Sequence, residues 1–110
     1  MALNYGQSYA EREDLVTDYD VAHIREQGID LIIIPLDSAF GYKTTIEQKQ
    51  ASDALQTCAN IARLAGIAVP VWDTGGGGMG FLALPNLHSY FSSVSLAFVA
   101  ANVNRKLTCG

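Results

Sequence analysis

Asp37 and Asp73 are the residues whose setting suggests chemistry. Each follows an apolar run and is followed by a hydroxyl residue, as Asp37-Ser38 and Asp73-Thr74. Two carboxylates at one mouth can divide acid and base roles, or hold magnesium, because a hard cation takes oxygen ligands. The first lies in "DSAFGYKTT", residues 37–45, and the second in "DTGGGGMG", residues 73–80. Lys43 and Thr44 stand just ahead of a helical pattern, whose free N–H groups and positive dipole end favour an anion. A glycine run lets backbone amides approach a ligand, since no Cβ intervenes. Phe40 and Tyr42 are large aromatics in a loop and offer stacking surface. The candidate ligand-binding set is therefore Asp37, Phe40, Tyr42, Lys43, Thr44, Asp73, Thr74, Gly75 and Gly76.

Each motif also has a plainer reading. A phosphate-binding P-loop needs glycine immediately before the lysine, and Tyr42 stands there. The dinucleotide fingerprint needs a helix after its glycines, and "MGFLAL" reads as a strand. The glycine run then serves as a hairpin tip, although four glycines exceed what one tight turn requires and suggest a mobile flap. Asp73-Thr74-Gly75 resembles the aspartic-protease triplet, which implies a β-rich one-lobe subunit completing its dyad by dimerising. The long helix described below contradicts that architecture. His23 and His88 are isolated on predicted helices, with neither the spacing of a zinc pair nor a nearby carboxylate, so no metal site is expected. Trp72 and Phe81 border the same crevice in sequence, Phe81 being the better fit to core packing.

The elements that must position these residues follow from periodicity. "TDYDVAHIREQG" places Val21 and Ile24 three apart, with acids in a first turn and Gly28 as terminator, which predicts a helix over residues 18–27. "IDLIIIPLD" is short, β-branched and apolar, and predicts a strand over 30–36, with Pro35 at an edge, bulge or end. A helix over 45–65, capped by Thr44 or Thr45, follows from Ala51, Leu55, Cys58, Ala62 and Ala65 on one face, with Ile61 beside them. Strands over 67–72 and 79–84 complete a right-handed parallel crossover and an antiparallel hairpin. From Asn86 two apolar stripes predict a C-terminal helix through Leu107, although "SVSLAFVA" alone also suits a strand. The fold class is α/β, with α+β the alternative: a small mixed sheet of three or more strands, one βαβ crossover and a C-terminal helix. The order Gly-Ile, apolar strand with proline, Asp, hydroxyl, glycine occurs twice. If those strands are parallel, both aspartates open on the side of the sheet where α/β domains hold ligands.

The 110 residues suffice for one domain over 16–110, preceded by an extended arm over 1–15. Charged residues are only 16% against 49% apolar, which leaves apolar surface for a second subunit, most simply along 94–107. The net charge of −4 is concentrated in residues 1–30, and Lys43, Lys49, Arg63, Arg105 and Lys106 are scattered, so no nucleic-acid surface is expected. No signal-peptide pattern or membrane-length apolar run is present, and Cys58 and Cys109 have neither metal nor redox-motif spacing; a cytoplasmic protein with Cys58 as an inert core thiol is the expectation. Three functions remain. One is a homo-oligomeric domain binding a small ligand, anions included, in the crevice between the two loops. Another is an assembly module without catalysis, and the third a hydrolase-like enzyme using Asp37 and Asp73. The sequence leaves the cofactor unknown.

Overall fold

The computed structural model describes residues 17–110; the arm expected over 1–15 lies outside them. Five strands form one mixed sheet in the order β4-β3-β2-β1-β5: β1 (Thr17–Glu26), β2 (Ile29–Pro35), β3 (Ile67–Gly75), β4 (Gly78–Phe81) and β5 (Arg105–Cys109). β2 and β3 are parallel and are joined through helix α1 (Thr45–Ile61), so the α/β class and the βαβ unit are both present. The other neighbours are antiparallel. Two short helices, α2 (His88–Ser92) and α3 (Leu96–Ala101), follow β4.

Alternation along the strands builds a core on each face of the sheet. Val21, Ile32, Ile34, Ala68 and Leu107 pack with Leu55 and Ala59 of α1, while Ala22, Leu31, Ile33, Val69 and Val71 pack with Phe91 of α2 and Val99 of α3. Four consecutive residues of β2, Leu31 to Ile34, are wholly buried, as expected of a strand covered on both faces. The sheet is thus the middle of three layers, and its ends are where loops are free to form a site.

Three sequence expectations change. Residues 18–27 are not helical: 18–26 are most of β1, because Val21 and Ala22 must serve opposite cores, which a strand does with adjacent residues and a helix does not. Gly28 ends no helix: with Gln27 it makes a two-residue turn in which both φ angles are positive, 51° and 81°, joining β1 to β2. The predicted C-terminal helix is two short helices and a strand. Ser92 and Ser93 turn their hydroxyls back to the carbonyls of His88 and Tyr90, Ser95 caps a new helix by accepting from Phe98 N–H, and residues 105–109 leave as β5. Residues 94–107 therefore do not form one interface helix.

Proline sets two further limits. Pro35 is the last residue of β2, as its missing donor requires. Pro70 lies inside β3, with its carbonyl accepting from Leu82 N–H at 3.1 Å on the β4 side. Its nitrogen faces the same way and donates nothing, so β4 stops at Phe81 instead of reaching residue 84.

Candidate functional site

The register of the parallel pair decides whether the two aspartates share a mouth. Pro35 and Val71 are the last paired residues, and Asp37 and Asp73 each lie two positions beyond them. Both acids therefore emerge at the carboxyl end of the sheet, at equal height on neighbouring chains. Each is held in the same manner: Asp37 Oδ1 accepts from Ala39 N–H at 2.8 Å, and Asp73 Oδ1 accepts from Gly75 N–H at 2.7 Å. The recurring Asp-hydroxyl wording thus encodes one local device, a carboxylate bonding its own backbone two residues on. Asp37 caps a short 3-10 turn, Ser38–Tyr42, and Asp73 sets the bend into the β3–β4 hairpin.

That hairpin answers what the glycines do. Gly75 pairs with Gly78, and Gly76 and Gly77 between them have φ of 60° and 84°, the signature of a two-residue turn whose twist matches the strands. Thr74 is the extra residue of a bulge between Asp73 and Gly75. The run forms a tight reversal rather than a flap. Gly80 has a separate reason: a Cβ there would collide with Nε1 and Cε2 of Trp72, and a Cβ at Gly41 would lie 2.8 Å from the same Nε1. Trp72 fits only because two glycines leave it room.

Although the mouth is common, the predicted residues divide between two depressions. The first, about 350 Å³, is lined by Ser38, Gly41, Tyr42, Trp72, Asp73, Thr74 and Gly75. The second, about 440 Å³, is mainly apolar and runs between α1 and the β1–β5 side, with Tyr19, Leu36, Phe40 and Leu55 in its walls and Asp37 and Lys43 also lining it. The carboxylates thus face different spaces. Phe40 is buried, with its ring 5.0 Å from that of Trp72 at 55°, so the aromatic pair divides one depression from the other. Tyr42 is 91% exposed beside the first. Gly76 is at the hairpin tip, and Phe81 packs near Phe91 at 5.6 Å on the opposite face of the sheet.

The helix N-terminus expected to attract an anion already carries one from its own chain. Thr44 Oγ1 accepts from Glu47 N–H at 3.1 Å, and Glu47 Oε1 accepts from Thr44 N–H at 2.9 Å, a reciprocal capping box. The hydrogen bond from the Thr44 backbone, then that from its side chain, holds the Glu47 carboxyl below the usual glutamate range, with a smaller contribution from Lys43. Among the described residues, neither histidine stands with a partner acid. On β1 rather than a helix, His23 Nε2 lies 2.7 Å from the Ala65 carbonyl oxygen, and His88 Nε2 lies 2.9 Å from that of Ala83.

Sequence reasoning missed two features. Asn104 acts as a strand partner: its Oδ1 accepts from His23 N–H at 2.8 Å and its Nδ2 donates to the His23 carbonyl at 2.9 Å. It extends the β1–β5 ladder by one side chain. The other is a disulfide between Cys58 and Cys109, which corrects the expectation of an inert thiol at position 58. No helix among the described residues is long and apolar enough to cross a membrane. Comparison with protein-family models, curated proteins and solved structures finds no match.

Proposed function

We propose that this chain is a ligand-binding domain without catalysis, and that the Trp72–Tyr42 depression takes a small ligand with a flat ring. The observation that carries this reading is Tyr42, a large aromatic held 91% exposed beside the indole edge, with Ser38, Asp73 and Thr74 lining the same space. About 350 Å³ is at the small end of ligand sites. Among the described residues, no lysine or arginine lines it, and Asp73 is its carboxylate, which supports a neutral or cationic ligand over an anion. The separation of Asp37 from Asp73, and the use of one oxygen of each to fix its own loop, weighs against an acid–base pair. Trp72 is the chain's one tryptophan, so its fluorescence reports on this site alone. Titration with uncharged and cationic ring compounds should change that emission, and Tyr42→Ala should weaken binding by about tenfold or more without lowering the melting temperature. A silent Trp72 across the whole panel contradicts the reading.

Self-association has its own supporting observation. α3 reads "LAFVAA", and only Val99 is wholly buried, while Phe98 remains 40% exposed and Ala97, Ala100 and Ala101 face solvent. An uncharged helix face of this kind suits a second copy. Light scattering should give a mass above that of one chain, and Phe98→Glu should return it to the monomer. A monomeric parent chain at all concentrations rules this out. The compartment also needs revision, because the Cys58–Cys109 bridge supports an oxidising environment over the cytoplasm expected from cysteine spacing.

A further inference from the structure

We propose that the Cys58–Cys109 disulfide is a reversible redox latch, whose reduction frees the edge strand β5 while the rest of the sheet stays folded. Apart from the bridge, β5 is attached mainly to β1, through its ladder, an exposed hydrogen bond from Thr108 Oγ1 to Asp18 Oδ1 and an exposed Lys106–Asp20 ion pair. Among the described residues it pairs with β1 alone, over residues 17–21, and of its five side chains only Leu107 is fully buried. By contrast β2 is paired on both sides and has four successive buried residues, so its place in the native sheet does not depend on the bridge, although the global stability does. The disulfide ties an edge strand to the longest helix among the described residues.

The bridge is also reachable. One side borders a surface depression formed by Thr57, Ile61, Ala62, Thr108 and Gly110, and Cys109 lines the apolar groove beside Tyr19 and Phe40 as well. Exchange needs a thiolate to approach a sulfur, and open space on two sides allows it. A dithiol reductant supplies both electrons. Its first thiolate attacks Cys109 Sγ, the S–S bond breaks, and Cys58 leaves as a thiolate that takes a proton from water. The reductant's second thiolate then attacks its own sulfur in the mixed disulfide, expelling Cys109 as a thiolate that takes a proton from water and leaving the reductant as a cyclic disulfide.

The reduced side chain has a place to go. Cys58 Sγ lies 3.4 Å from the Thr108 carbonyl oxygen; the bridged sulfur has no proton to share, but the thiol formed by reduction can donate there. That weak bond would hold β5 in register part of the time, so the strand opens and recloses instead of being lost. Opening uncovers the outer edge of β1 and widens the apolar groove on its Cys109 side.

Amide hydrogen exchange on the whole chain, with and without dithiothreitol, tests this. Reduction should cost residues 105–109 and 17–21 about tenfold or more protection beyond whatever residues 31–34 lose, and oxidised glutathione should restore it. Cys109→Ser should show the same pattern with no reductant present. Equal loss across all three segments would make the bridge a staple of the whole fold, and unchanged protection of 105–109 would leave β5 independent of it; either result overturns the latch.

Discussion

At the scale of single residues, the clearest constraint is Trp72, whose indole occupies the space that side chains at Gly41 and Gly80 would need. Gly80→Ala should therefore destabilise the fold by about 1–3 kcal/mol through overpacking, and should shift the Trp72 emission in the absence of any ligand. Thermal melting with fluorescence checks both; a shifted spectrum with an unchanged melting temperature would show that the indole moves aside freely. Tyr90 offers the opposite kind of test. Its hydroxyl is buried without a hydrogen-bond partner among the described residues. Burial, and then the nearby Glu26 charge, push its pKa above the usual tyrosine value of 10.0. A raised folded pKa means stability that is complete below about pH 10 and falls as pH rises through the folded value, since the unfolded chain ionises first. Tyr90→Phe removes both the unpaired group and the titration, so it should be neutral or stabilising by up to about 1 kcal/mol and should flatten the alkaline limb of a pH–stability curve. A loss above about 1 kcal/mol would mean that the hydroxyl has a partner after all. The single residues legible in sequence were those with local work, such as Asp37, Thr44 and Asp73. Asn104 was not, because its partner His23 is 81 residues away and only the folded sheet brings them together.

Elements were legible where one period dominated. α1 has a capping box at its start and an apolar stripe, so its position is encoded within the segment itself. Its far end was read too long: Arg63 already has a positive φ of 60°, and Ile61, counted near the buried stripe, is 78% exposed while Ala59 is buried. β1 was read as a helix because Val21 and Ile24 satisfy a three-residue spacing, while the need to feed two cores is a property of the sheet and not of the segment. The cap gives an element-scale prediction. Thr44→Ala should cost about 1 kcal/mol of stability at neutral pH, measured by urea unfolding, since the Glu47 N–H loses its acceptor. Because the capped Glu47 carboxyl has a lowered pKa, the stabilisation it adds is present above the unfolded value of 4.5 and is lost as pH falls through the folded one. Glu47→Gln, which keeps an acceptor for the Thr44 N–H but has no titrating group, should show a shallower loss between about pH 5 and pH 3 than the parent, and parallel curves would mean that the box does not titrate with the fold.

For the whole molecule, the decisive contact was the one no local pattern could announce. A helix continuing to Leu107 offers no reason for Cys109 to meet α1; once residues 105–109 turn back as an edge strand beside β1, Cys109 arrives over Cys58. Chain direction, not cysteine spacing, makes the pair. The bridge closes a loop of 51 residues, for which the chain-entropy argument gives about 4 kcal/mol of stabilisation, acting chiefly by restricting the unfolded chain. A 110-residue domain has a total stability of roughly 5–15 kcal/mol, so this one bond is a large share of it. Urea unfolding of oxidised and reduced protein should therefore differ by about 4 kcal/mol, and the reduced form should have the steeper denaturant dependence, because its unfolded chain exposes more surface. Both quantities matter. A large loss on reduction with equal slopes would place the effect in native contacts that the bridge holds together, whereas a difference below about 1 kcal/mol would mean that the unfolded chain is already compact around α1 and β5 without the bond.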